Sequence, residues 1–372
     1  MMAAMRSCLV VLFIAAMNVW SADPIRFQMQ EIATGLGVVY AVTTADVNGD
    51  GKADIVVINN HQLLWFENPT WTKHVVTERV TERDNVAVAP WDINRDGKVD
   101  FALGADWQPT NTSSGGSLHW VTNQGQVHNI GSEPTLHRIR WIDVDGDRRP
   151  ELVVVPLHGR GTTAADWTKG PGARILVYRV PSAPATEAWP VEVADDSLHI
   201  IHNFIGVGRE IWVASAEGVY ALERNREGKW LKRLIGEGKP GEIKMGRVKG
   251  KRHLATVEPW HGNSIVLYEE GNTPWQRKVV EQNLNQAHAL GWGDFDRDGN
   301  DELVVGWRGK PWGLALYRFT GTEWTKFMID DGVAVEDVAV EDLNGDGLPE
   351  VIAGGRATSN IRIYWPGAAP RN

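Results

Sequence analysis

A chain of 372 residues, 42% of them hydrophobic, is long enough to bury a large core. Its net charge of −9 excludes a basic face for nucleic acid or an anionic membrane. Its one cysteine, Cys8, excludes a disulfide framework and a thiolate metal centre.

Residues 1–22 are expected to be a secretory signal peptide, with Arg6, an apolar run at 9–16, and the small residues Ser21 and Ala22 for cleavage. The run is too short to span a bilayer, so the expectation is a secreted or periplasmic protein without a membrane span. Residues 25–32 alternate like an outer β-strand.

An acidic turn then opens a pattern that returns along the chain. Asp46, Asn48, Asp50 and Asp54 stand at positions 1, 3, 5 and 9 of a nine-residue stretch, and the apolar run 55–58 follows. The same positions hold Asp92, Asn94, Asp96 and Asp100, then Asp143, Asp145, Asp147 and Glu151. They recur as Asp294, Asp296, Asp298 and Glu302, and as Asp342, Asn344, Asp346 and Glu350. Oxygens so spaced can wrap one hard cation, and structural calcium is the expected occupant. Glycine at position 6 permits the bend, and Arg148 replaces it in the third copy. An EF-hand is excluded, because the last acid comes at position 9 and a β-rich run follows.

The spacing sets the architecture. The first acids lie at 46, 92, 143, 294 and 342, so the long interval holds three periods of about 50 residues. Two repeats without acids fill it, at 198–235 and 242–280. Each repeat reads as four strands, with an aromatic-rich third strand at 63–66, 118–121, 175–178, 314–317 and 361–364. Seven repeats of four strands predict an all-β, seven-bladed β-propeller over residues 23–372. The last repeat ends after three strands, and the strand at 25–32 is expected to complete it and close the ring.

Alignment on the acidic turn exposes candidate site residues. Six positions before the first acid lie Tyr40, Val86, His137, His288 and Glu336, and the degenerate repeats place His199 and Glu242 near the same level. After the second strands come Trp107, His158 with Arg160, Trp260 with His261, Trp307 with Arg308 and Lys310, and Arg356. Imidazoles from separate blades converging on the axis suit zinc or manganese, and His137, His199 and His288 are the expected ligands. Arginines and Lys310 suit a carboxylate or enolate. Tryptophans and Tyr40 suit a sugar face.

The acidic turns within propeller blades resemble the FG-GAP, or VCBS, repeats of integrin heads and secreted bacterial proteins. The pairing of Leu64-Trp-Phe-Glu-Asn-Pro69 with Trp71-Thr-Lys-His-Val75 is similar to the propeller of aldos-2-ulose dehydratase and its relatives, metal-dependent sugar dehydratases and lyases. That resemblance implies β-elimination on a carbohydrate. His261 or His158 would be the base, with Arg308 and Arg356 stabilising the enolate-like charge. Trp107, Arg160, Trp260, Trp307, Lys310 and Tyr40 would hold the sugar. The integrin-like alternative is a non-catalytic propeller that binds a glycan or protein, stiffened by calcium and needing no convergent histidines. A monomer is expected in either case. No nucleophile elbow, phosphate loop or dinucleotide fingerprint is present, and the paired acids lie in the turns.

Overall fold

In five of the blades the second strand is buried along its whole length, as in Asp54–Asn59, Asp100–Ala105 and Glu302–Trp307. Both of its faces meet neighbouring blades, so it is built largely from Val, Ile, Leu and Ala. Outer strands such as Thr72–Glu78 alternate toward solvent instead. The structure, a computed structural model, describes residues 25–367. The expected signal peptide and Cys8 lie outside them.

Seven four-stranded antiparallel sheets form a ring, and no helix occurs among the described residues. Blades one to six run in chain order from residue 39 to residue 330. Blade seven joins Val335–Glu341, Glu350–Gly355 and Ile361–Pro366 to the N-terminal strand Phe27–Ala33. Met29 pairs with Tyr364 and Gln30 with Ile363, so the first strand closes the ring as expected. Glu31 fixes the seam with an ion pair to Arg362 Nε at 2.9 Å.

The core is divided among the blade interfaces. Seven apolar clusters each join two adjacent blades, and one of them unites Val57 and Phe66 of blade one with Ile352 and Ile363 of blade seven. Each blade depends on both neighbours, which explains why closure matters.

Each inner strand begins at one face of the ring and ends at a turn on the opposite face. In four blades the strand starts with a β-bulge, at Tyr40, His137, His288 and Glu336. A bulge re-aims the extra residue, here toward the axis. At the far end lies the acidic turn. Asp46 accepts hydrogen bonds from the backbone N–H groups of Gly49, Asp50 and Gly51, and Asp342 repeats this with Gly345, Asp346 and Gly347. Position 6 is left-handed in all five copies, with φ of 86°, 82°, 69°, 82° and 84° at Gly51, Gly97, Arg148, Gly299 and Gly347. Blades four and five lack the acids because two-residue turns, Gly208-Arg209 and Lys249-Gly250, connect their inner hairpins.

Candidate functional site

One residue at the start of each inner strand occupies an equivalent position. Blade by blade these are Tyr40, Val86, His137, His202, Glu242, His288 and Glu336. Five of them, Tyr40, His137, His202, His288 and Glu336, join residues following the second strands to line a cavity of about 240 Å³ at the channel mouth, while Val86 packs into the core between blades two and three and Glu242 stands behind His202. Its wall includes Trp107, His158, Trp167, Trp260, His261, Arg308 and Arg356. A larger groove of about 480 Å³ lies between blades five and six, against Phe319 and Trp324, and contains no convergent histidines.

The imidazoles are in mutual contact. Ring centroids lie 4.5 Å apart for His137 and His202, 4.3 Å for His202 and His261, 5.0 Å for His202 and His288, and 4.8 Å for His261 and His288. Ligand nitrogens of His202, His261 and His288 all fall within 4.8 Å of one another. His202 Nε2 and His261 Nε2 approach to 2.5 Å. Two bare lone pairs cannot face each other at that distance, so a proton or a cation belongs between them.

The outer nitrogens are oriented by the protein. His288 Nδ1 donates to the Glu336 carbonyl at 2.5 Å, which leaves Nε2 as the free lone pair. His202 Nδ1 lies 2.7 Å from Glu242 Oε1, although neither atom reaches hydrogen-bond geometry. Such acceptors behind a ring favour metal binding through the opposite nitrogen. His261 differs, because Arg308 Nη2 lies 3.2 Å from its Nδ1. Arg308 there favours a lone pair on Nδ1. His137 Nε2 is buried without a partner.

Burial holds these rings neutral. Desolvation, followed by the positive charge of Arg138, pushes the His137 pKa well down. Desolvation and then Arg138 do the same for His202, and desolvation and then Arg308 for His288. His261 is lowered first by desolvation and then by His202 and Arg308. Neutral imidazole is the ligand form of histidine. Across the mouth Glu336, 4% exposed, accepts from Arg308 Nη1 at 2.8 and 2.7 Å and from Arg356 Nη1 at 2.8 Å. The Tyr40 hydroxyl donates to Asp84 at 2.9 Å, and desolvation with the Asp84 charge raises its pKa to about 12.

Aromatic rings form the rest of the wall. Trp107 stacks on His137 at 4.6 Å and Trp167 on His158 at 4.0 Å, while Trp260 meets His158 edge-on at 5.8 Å. Desolvation lowers the His158 pKa to about 4.

Nine of the residues assigned a role converge on this cavity, Tyr40, Trp107, His137, His158, Trp260, His261, His288, Arg308 and Arg356, and the candidate Glu336 joins them. Four others do not. His199, expected as a ligand, turns away to Glu217 Oε1 at 2.7 Å and the Gly170 carbonyl at 3.1 Å. His202 stands in its place. Arg160 is held outside the cavity by Glu133 at 2.8 Å. Trp307 is buried between blades, with its Nε1 donating to the Pro311 carbonyl at 2.6 Å. Lys310 lies over the Trp312 ring at 4.9 Å. The expectation missed Trp167, although it lies in the long loop between Glu151–Pro156 and Ile175–Tyr178.

At the opposite face the last acid of each turn is buried. Desolvation raises Glu151 to about 7, Glu302 to about 8 and Glu350 to about 7, each further raised by neighbouring aspartates. Asp100 Oδ2 is buried without a partner.

Known proteins resemble this chain in two ways. The FG-GAP-like repeat family model matches residues 46–103 and 294–353. The family model described as the aldos-2-ulose dehydratase β-propeller domain matches residues 115–272, which contain His137, His158, His202, Glu242 and His261. No curated protein matches the chain. Among solved structures, it is similar to BBS1N in complex with ARL6DN, soaked with mercury, with a TM-score of 0.58, 12% identity, and coverage of 93% of this chain and 97% of that one. The same complex soaked with lead gives a TM-score of 0.59, 13% identity, and coverage of 94% and 98%. At such identity these two share the fold alone. The chain is a seven-bladed β-propeller that carries FG-GAP-like repeats and a central segment matching the aldos-2-ulose dehydratase propeller domain.

Proposed function

We propose that this protein is a secreted carbohydrate lyase or dehydratase that performs β-elimination on a sugar held at the channel mouth. The observation that carries the reading is the cluster of His202, His261 and His288, three neutral imidazoles with nitrogens within 4.8 Å of one another. The donor set fits zinc or manganese, since three imidazoles beside an open cavity are a catalytic arrangement. His202 and His288 fit best, because an acceptor stands behind each ring. His261 fits as third ligand once Arg308 yields its Nδ1, and His137 is the neighbour able to replace it. Bound there, a divalent ion would polarise a carbonyl or carboxylate next to the carbon that loses its proton.

The chain's own groups supply the rest. His158, neutral down to about pH 4, is the base facing the cavity outside the ligand cluster. Arg356, the more exposed arginine on Glu336, presents positive charge to the developing enolate. Trp107, Trp167 and Trp260 offer flat apolar faces to the ring of the sugar and exclude water. A cavity of about 240 Å³ suits a single sugar residue. Calcium, in those acidic turns that take it, would be structural and stiffen the inner hairpin beneath the site.

Elemental analysis of the purified protein tests this directly, together with ultraviolet detection of unsaturated product from keto-sugars and uronate oligomers. About one equivalent of transition metal is expected, lost in His202→Ala and His288→Ala along with elimination. Absence of both metal and product from the wild-type protein would overturn the reading.

A further inference from the structure

The five acidic turns fall into two classes. In blades one, two and seven the third position is an amide, at Asn48, Asn94 and Asn344, so each turn carries three carboxylates. In blades three and six it is Asp145 and Asp296, so positions 1, 3, 5 and 9 of each carry four. The extra acid coincides with an arginine placed directly after the third strand's tyrosine, in Tyr178-Arg179 and Tyr317-Arg318.

Both arginines enter their own turn. Arg179 Nη2 lies 2.9 Å from Asp145 Oδ2, and its Nε lies 4.0 Å from Glu151 Oε1. Arg318 pairs with Asp296, with Asp298 Oδ2 at 3.5 Å and with Glu302 Oε1 at 3.8 Å, and is only 15% exposed. The equivalent residues elsewhere are Glu67, Thr122 and Trp365, and none is a cation. Glu67 pairs with His74, and Trp365 Nε1 donates to Gln30. Blade seven does receive Arg297 from its neighbour, but at 3.4 Å from Asp346 Oδ1 with both side chains over half exposed. At these four positions, four carboxylates less one guanidinium leave the same charge as three carboxylates alone.

We propose that Arg179 and Arg318 are built-in counter-ions that take the place of calcium in the turns of blades three and six. The oxygens they hold, at positions 3 and 9 and in blade six also at position 5, are those a calcium ion would have to gather. A divalent cation there would meet the guanidinium's charge at close range. In the turns of blades one and seven Lys52 and Arg297 reach only the carboxylate at position 5, Asp50 and Asp346, and leave positions 3 and 9 open, and in blade two Asp100 Oδ2 is buried without a hydrogen-bond partner. Calcium dependence therefore belongs to three turns, and the ring is stiffened at the other two without metal.

Hydrogen–deuterium exchange resolved by peptide, in calcium and after chelation, separates the classes independently of the axial site. Several-fold faster exchange after chelation is expected at 46–54, 92–100 and 342–350, with 143–151 and 294–302 unchanged. Acceleration at either of the last two, or at none of the five, overturns the proposal. Arg318→Met should make 294–302 calcium-dependent. Should that variant fold poorly, the transplant decides: Asn48→Asp with Glu67→Arg should free 46–54 from calcium, and continued dependence there overturns the proposal.

Discussion

The two ends of one inner strand behave differently. In blade three the strand Leu136–Ile142 begins at His137 and ends beside Asp143, roughly 20 Å away at the rise of an extended strand. At the turn end the residues repeat from blade to blade, and each turn satisfies its own backbone N–H groups. At the mouth end they diverge into Tyr, Val, His, His, Glu, His and Glu, and several polar groups there take their partner from another blade. His288 leans on Glu336, Arg308 on Glu336 and His261, and Tyr40 on Asp84. What recurs along the chain serves the single blade. What departs from the repeat serves the ring as a whole.

Removing one carboxylate at each end sharpens this contrast, and the mouth should give the larger effect. Glu336→Gln leaves the largely buried Arg308 without its counter-charge, which costs about 3–5 kcal/mol for a broken buried pair, and the more exposed Arg356 adds little. Asp50→Asn, at an exposed turn position and measured in chelator, should cost within about 1 kcal/mol. Denaturant unfolding of the two variants checks the order. Equal losses would mean that the mouth is not an interdependent cluster.

The same contrast explains how much was legible beforehand. A period near 50 residues and the unpaired strand at 25–32 specified the propeller, because strand period and turn chemistry repeat locally. The axial ring was legible wherever a nine-residue acidic turn gave a fixed origin, six residues after Tyr40, His137, His288 and Glu336. It failed at His199 because blade four has no acidic turn. Counting six back from Gly208, at its two-residue turn, reaches His202. The rim was legible within two residues past each second strand, and three residues past it His261 stays on the cavity while Lys310 does not. His158, Trp260, Arg308 and Arg356 stay on the cavity, whereas Arg160 and Lys310 lie further along and leave it. Trp307 is the last residue of its strand and packs into the blade interface. That histidines of separate blades meet was legible, but their particular partners were not, since each contact joins residues from separate repeats.

A smaller effect concerns pH. Burial lowers His158 from its ordinary value of 6.5 to about 4, so between those values the unfolded chain binds the extra proton. Its contribution to stability is complete above about pH 6.5 and is lost as pH falls toward 4, by at most about 1.4 kcal/mol per pH unit. His158→Phe should therefore flatten the acid limb of stability against pH relative to the wild-type protein. As the proposed base, His158 should also keep elimination active in mildly acidic solution, with the acid limb of the rate near pH 4. An acid limb near 6.5 would assign the base to an exposed group.

The smallest effect tests the boundary of the mouth. Lys310 lies over Trp312 outside the cavity, while Arg356, the next cation around the rim, lines it. Lys310→Ala should change sugar affinity by no more than about 0.5 kcal/mol, as surface substitutions do, and Arg356→Ala should weaken it clearly more. Titration of both variants with one sugar and with its oligomer separates two cases. If Lys310→Ala weakens only the oligomer, the ligand extends from the 240 Å³ cavity across blade six, and the mouth takes one residue of a longer chain. If it weakens both equally with Arg356→Ala, the rim rearranges on binding and Lys310 swings from Trp312 toward the axis.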